Sequence, residues 1–285
     1  MQGKASYCLR IATLFALALS LVLGFMPAAF TAMRAIHAQA IRAQRAMLGP
    51  KAYYLAIGDS LGFGYQPDFN WEAGYASDFY TNLQNHGVTH YDNLACPGET
   101  SVTMINGGCP YPFLRKYPYV NSQLQAAVSY LQKYAGQVSP VTLDIGVNDL
   151  LPDFNTKDCS IKPQWGSDLA KVDHNLTSVI LPQLVAAMTV NGQMTGDLLL
   201  MNYYDPYQNL CPATVSAIQT LNAHLAADAS GYATMVDIFT PFGGATTPDP
   251  HTCTNTWICS TFHDIHAKTA GYSVMAGAFE QTSGY

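Results

Sequence analysis

Residues Tyr53-Tyr54-Leu55-Ala56-Ile57-Gly58-Asp59-Ser60-Leu61-Gly62-Phe63-Gly64-Tyr65 constrain this chain more than any other stretch. Five apolar, β-prone residues run into a glycine, an acid, a serine and two further glycines. A buried strand that ends in a Gly-flanked turn can hold one hydroxyl at the carboxyl edge of a sheet. In open α/β sheets that edge is where ligands bind. Glycine lets the turn adopt backbone conformations that a Cβ forbids and leaves room for a ligand. Serine is also a favoured helix N-cap, so the rest of the chain has to decide whether Ser60 works chemically or only caps.

The remaining elements continue the α/β pattern. Helical spacing over Ala73–Asn85, Val120–Tyr134, Ser167–Val190, Thr214–Ala227 and Lys268–Gln281 alternates with strand-like runs at Val88–Ala95, Val141–Ile145, Asp197–Tyr204 and Ala233–Phe239. That alternation predicts a parallel sheet with helices on both faces. Asn106–Tyr119 and Thr240–Asn255, rich in Gly, Pro, Tyr or Thr, read as irregular excursions. Without repeats or a low-complexity linker, residues 51–285 read as one domain, preceded by a linker at 41–50.

Residues 1–40 read as a targeting segment. Lys4 and Arg10 precede an uncharged stretch from Ile11 to Met33, and Ala38-Gln39-Ala40 offers a small-x-small cleavage site. The stretch is also long enough to span a bilayer, so signal peptide and uncleaved membrane anchor both stand. Either puts the domain outside the membrane if the cysteines are paired, secreted or held at the outer face. Removing the segment leaves ten basic against nineteen acidic residues, a net charge of −9. No Lys/Arg-rich run occurs, which excludes the usual nucleic-acid footprint. Six cysteines remain beyond Cys8 and permit 15 pairings. Nearness in sequence suggests Cys96–Cys109 and Cys253–Cys259, leaving Cys159–Cys211.

Cleaving an ester requires a hydroxyl nucleophile, a base to take its proton and donors for the developing oxyanion. Ser60, Gly98 and Asn148 follow the first, second and third strands, so a parallel sheet puts all three on one edge. Gly98 can offer an unobstructed N–H and Asn148 a side-chain NH₂. His266, just before the last helix, can return to the same edge as a base.

Gly58-Asp59-Ser60-Leu61, Gly98, Gly146-Val147-Asn148-Asp149 and Asp264-Ile265-His266, in that order and spacing, resemble the SGNH/GDSL hydrolase family over roughly residues 51–285. Tyr203-Tyr204-Asp205-Pro206 is similar to a Tyr-x-Asp-Pro of its secreted members, and the cysteines resemble the disulfide set of its actinobacterial lipases and esterases. The resemblance implies a flavodoxin-like three-layer α/β/α sandwich with a mainly parallel five-stranded sheet. It implies a serine esterase acting on small-molecule or lipid esters without cofactor or metal. Ser60 would be nucleophile, His266 base, and Ser60 N–H, Gly98 N–H and Asn148 the oxyanion hole. The family's usual Asp three residues before the His is His263 here. Either Asp264, two residues before, orients the imidazole or a backbone carbonyl does.

Gly58-Asp59-Ser60-Leu61-Gly62 also fits the Gly-x-Ser-x-Gly elbow of α/β-hydrolases, but that elbow follows several strands and this one follows a single strand. Phe63 and Tyr65 are candidate substrate contacts. An esterase of acetylated polysaccharides is the nearest alternative activity. A non-catalytic carbohydrate- or surface-binding relative is the alternative of another class.

Overall fold

The computed structural model describes residues 46–285. The targeting segment expected over residues 1–40 and the first half of the 41–50 linker lie outside the described residues. Among the described residues no helix is long and apolar enough to cross a membrane.

Five strands form the central sheet: β1 (Tyr53–Gly58), β2 (His90–Asn93), β3 (Val138–Asp144), β4 (Leu198–Met201) and β5 (Thr234–Val236). Their order is β2-β1-β3-β4-β5 and every pairing is parallel. This is the flavodoxin-like order expected from the resemblance. β1, β3 and β4 are buried almost throughout, as central parallel strands covered on both faces must be, and they therefore read as continuous apolar runs. The chain reverses its direction of travel across the sheet between β1 and β3, and the crevice at that switch point opens at the carboxyl ends of the strands.

Among the described residues ten α-helices accompany the sheet: α1 (Ser60–Phe63), α2 (Tyr75–Leu83), α3 (Ser101–Asn106), α4 (Gln123–Lys133), α5 (Val147–Leu150), α6 (Trp165–Asn175), α7 (Leu181–Ala187), α8 (Thr214–Ala229), α9 (Thr252–Asn255) and α10 (Thr269–Ser283). α2 packs on α10, α4 on α7, and α6 on α8. Helical spacing selects the buried stripes. On α10, Tyr272, Met275, Ala276 and Phe279 recur at i, i+3, i+4 and i+7 and face the core. Phe279 stacks on Tyr75 of α2 with ring centroids 4.8 Å apart.

The elements differ from the sequence pattern in instructive places. The single long helix expected over Ser167–Val190 is α6, a π-helical turn at Leu176–Ile180, and α7. Pro182 lacks the N–H that an α-helical turn needs, and the widened turn precedes it. Thr189–Val190 then pairs with Gln193–Met194 in a small hairpin. β3 starts earlier than expected and includes Pro140. The register with β1 jumps from Tyr53↔Val138 to Leu55↔Val141, so the proline sits in a bulge where no ladder bond is required. β4 is shorter than expected: Asn202 N–H still donates to Val236 O at 3.0 Å, but beyond it the Asn202 side chain replaces the ladder, Oδ1 accepting the amides of Ile238 and Phe239 at 2.7 and 3.1 Å.

Among the described residues three disulfides link Cys96–Cys109, Cys159–Cys211 and Cys253–Cys259, with Cα separations of 6.4, 5.2 and 5.2 Å. All lie in segments outside the strands. Cys159–Cys211 ties a two-stranded hairpin, Phe154–Asn155 with Ser160–Ile161, to the segment after β4.

Candidate active site

Ser60 is the first residue of α1, directly after β1. The Asp59 side chain caps that short helix, its Oδ1 accepting Leu61 N–H at 2.8 Å. Its Oδ2 accepts the Tyr203 hydroxyl at 2.8 Å. Below the turn lies Asp144, the last residue of β3. Its Oδ2 accepts the Asp59 and Gly62 amides, each at 3.0 Å, and its Oδ1 accepts the Tyr75 hydroxyl at 2.6 Å. Burial raises both carboxyls above their ordinary range, and the nearby Asp59 charge pushes Asp144 further.

The glycines of the turn follow from this. Gly58 has φ +142°, and a Cβ there would sit 2.3 Å from the Asp144 carbonyl. At Gly62 a Cβ would lie 2.5 Å from Asp144 Oδ1 and 3.1 Å from Ala95 Cβ. Three hydrogen bonds hold that carboxyl, so it cannot retreat. Gly62→Ala is therefore expected to destabilise the fold by roughly 1–3 kcal/mol through overpacking. Urea unfolding checks this, and a midpoint equal to that of the parent would contradict it.

The sequence-predicted residues converge on this turn from distant elements. His266 Nε2 lies 2.8 Å from Ser60 Oγ. On the other side of the ring, His266 Nδ1 lies 2.6 Å from Asp264 Oδ1, which also accepts the His266 backbone N–H at 2.8 Å. The imidazole thus meets a carboxylate, where a backbone carbonyl was the other option. Burial would raise the Asp264 pKa, but its hydrogen bonds and charge interaction with His266 outweigh this and hold it below the ordinary value. His263, at the position where the family usually has its acid, adopts a left-handed backbone with φ +48°. Tyr204 donates its hydroxyl to Ile265 O at 2.8 Å, and Trp257 N–H donates to His266 O at 3.0 Å. These bonds fix the segment that carries the histidine.

Gly98 and Asn148 are joined through one residue. Asn148 Nδ2 donates to the carbonyl of Glu99 at 2.9 Å. Gly98 takes the left-handed conformation, φ +79°, that its turn requires. Asn148, Ser60 and His266 line one cleft that is partly open to solvent. Its other walls are largely apolar and include Val147, Leu151, Phe154, Tyr204, Tyr207, Ile218 and Ile265.

The two candidate substrate contacts separate. Phe63 is buried, packs edge-on against Trp71 and is not part of the cleft, so the expectation is corrected: it is a core residue. As a residue of α1's inward side it follows helical packing, and its closeness in sequence to Ser60 misleads. Tyr65 lies against His266, ring centroids 4.6 Å apart. Sequence reasoning missed the cleft wall at Leu151, Phe154 and Tyr207. The Tyr203–Pro206 motif was the one signal pointing there.

A hydroxyl hydrogen-bonded to an imidazole, itself held by a carboxylate at a switch-point cleft, defines the serine-hydrolase class on a flavodoxin-like sheet. The sequence pattern of the GDSL-like lipase/acylhydrolase family matches residues 56–274, and the chain belongs to that family of ester hydrolases. Solved structures with the same fold include an acetylxylan esterase from Geobacillus stearothermophilus, 16% identical with a TM-score of 0.54, the match covering 84% of this chain and 97% of that one. An extracellular lipase from Streptomyces rimosus is 15% identical with a TM-score of 0.52, covering 81% and 99%. An α/β hydrolase enzyme from the metagenome of Lake Arreo, Spain, is 19% identical with a TM-score of 0.52, covering 84% and 98%. No curated protein sequence matches the chain.

Proposed function

We propose that residues 51–285 form a serine esterase domain that cleaves carboxylic esters through an acyl-enzyme on Ser60. The observation that carries this is the continuous relay Ser60 Oγ, His266 Nε2, His266 Nδ1, Asp264 Oδ1, spaced at 2.8 and 2.6 Å. His266 takes the Ser60 proton as Oγ attacks the ester carbonyl. The Ser60 and Gly98 amides and Asn148 Nδ2 receive the negative charge on the carbonyl oxygen. The proton on His266 passes to the departing alcohol, leaving Ser60 acylated. Water then attacks the acyl group with His266 again as base, and the proton it takes passes to Ser60 Oγ as the acyl C–Oγ bond breaks and the carboxylic acid leaves.

The acyl chain lies in the apolar cleft against Leu151, Phe154, Tyr204 and Tyr207. Lipid and simple carboxylic esters are the leading substrates. Three disulfides suit an oxidising compartment. Together with the leader-like residues 1–40 they support a secreted enzyme, or one anchored at the outer membrane face through residues 11–33.

The test is hydrolysis of p-nitrophenyl esters from acetate to palmitate by the full chain, alongside fluorophosphonate labelling. Turnover across short and medium acyl chains, with the label on Ser60, is the expected result. Turnover confined to acetate would favour deacetylation of a glycan. Absence of both turnover and labelling would overturn the catalytic reading in favour of a binding relative.

A further inference from the structure

Gln123 is the first residue of α4 and is 1% exposed. Its carboxamide is fully engaged. Gly58 N–H donates to Oε1 at 2.6 Å. Nε2 donates to Gly58 O and to Glu99 Oε2, each at 2.9 Å. Gly58 stands two residues before Ser60. Glu99 follows Gly98, and its backbone carbonyl holds Asn148 Nδ2. One buried side chain therefore touches both the strand end that presents the hydroxyl and the residue that joins the two oxyanion donors.

We infer that Gln123 and Glu99 form a positioning bridge that fixes the separation between the nucleophile turn and the oxyanion loop. The inference rests on the roles proposed above for Ser60, Gly98 and Asn148. Neither bridge residue touches the substrate, and both act through their neighbours.

Packing does not account for the arrangement. An apolar side chain of similar size could fill the space of Gln123, but it would leave Gly58 N–H without its acceptor. Glu99 is equally buried, and its Oε1 already lacks a partner. Burial raises the Glu99 pKa to about 7, against the opposing pull of the Gln123 hydrogen bond. The bridge also spans segments far apart in sequence, 65 residues between Gly58 and Gln123 and 24 between Glu99 and Gln123. Small errors in such a separation are expensive, because a misplacement near 1 Å can cost about 100-fold in rate.

The test uses the full chain with Gln123→Met, Gln123→Glu, and the exchanged pair Gln123→Glu with Glu99→Gln. The readouts are kcat and KM on a p-nitrophenyl ester, affinity for an alkyl boronic acid, and the thermal midpoint. A boronate on Ser60 places an oxygen where the oxyanion forms, so it reports the geometry of the hole independently of turnover. Gln123→Met is expected to lower kcat roughly 10- to 100-fold with KM within about twofold, and to weaken the boronate by a similar factor. The exchanged pair restores a donor opposite an acceptor between positions 99 and 123, while Gly58 O still lacks the donor that Gln123 Nε2 supplied, so it is expected to recover part of what Gln123→Glu loses. Unchanged kcat and boronate affinity in Gln123→Met, with only a lower thermal midpoint, would overturn the bridge. If Gln123→Met fails to fold, an exchanged pair no better than Gln123→Glu overturns it instead. Failure of the underlying catalytic reading shows separately, as a parent enzyme whose turnover survives Ser60→Ala.

Discussion

Ser60→Ala and His266→Ala are each expected to lower kcat by roughly 10⁶, and the double variant by no more than either single one. The reason is the 2.8 Å contact between Oγ and Nε2. A serine hydroxyl without its base is a poor nucleophile, and a base without the hydroxyl has nothing to activate. The two therefore act as one unit, and their losses do not add. Residual turnover of about 10³–10⁴ over water should persist in all three variants, supplied by the Gly98 amide, Asn148 and substrate binding. Single-turnover kinetics with a chromogenic ester check this. A double variant far slower than either single one would mean that Ser60 and His266 contribute independently.

The second large effect falls on Asp264. Asp264→Ala is expected to lower kcat about 10⁴-fold, the order seen when the aspartate behind a catalytic imidazole is removed outright. Asp264→Asn should cost much less. Oδ1 accepts both the ring Nδ1–H and the backbone N–H of His266. The backbone donor keeps an amide oxygen, not an NH₂, at that position in the Asn variant. The imidazole then retains its tautomer, with Nε2 free to accept the Ser60 proton, and only the carboxylate charge is missing. Equal losses in the two variants would show that the charge, not the orientation, carries the effect. The pH dependence has a defined sign. Because the folded state holds the Asp264 pKa below its ordinary value, the pair contributes stability above the unfolded carboxylate pKa. That contribution fades as pH falls through the folded value, and it should be absent in Asp264→Asn at every pH.

Much of the site could be read from the chain because its parts are local. A strand running into Gly-Asp-Ser, a glycine after the second strand and Gly-x-Asn-Asp after the third each announce their place. The alternation of elements brings them to one edge without knowledge of any contact. His266 was legible for the same reason. What escaped depends on contacts between distant segments. Gln123 looks like any polar residue opening a helix, and only the fold puts it between Gly58 and Glu99. Asp144 reads as an oddity in an apolar strand until the Asp59 and Gly62 amides are seen to converge on it. Phe154 belongs to a hairpin too short for any periodic signal. Pro182 was visible, yet helical spacing continues through it because a π turn absorbs the missing bond.

The cleft wall and the reacting groups have separate means of support. Ser60 and Asn148 follow the sheet strands, whereas Phe154 and Tyr207 stand on a hairpin and a loop joined by Cys159–Cys211. The hairpin thus has a covalent fastening of its own, separate from the sheet ladder, and exchanging its sequence is expected to reshape the cleft wall while the strand ends keep their places.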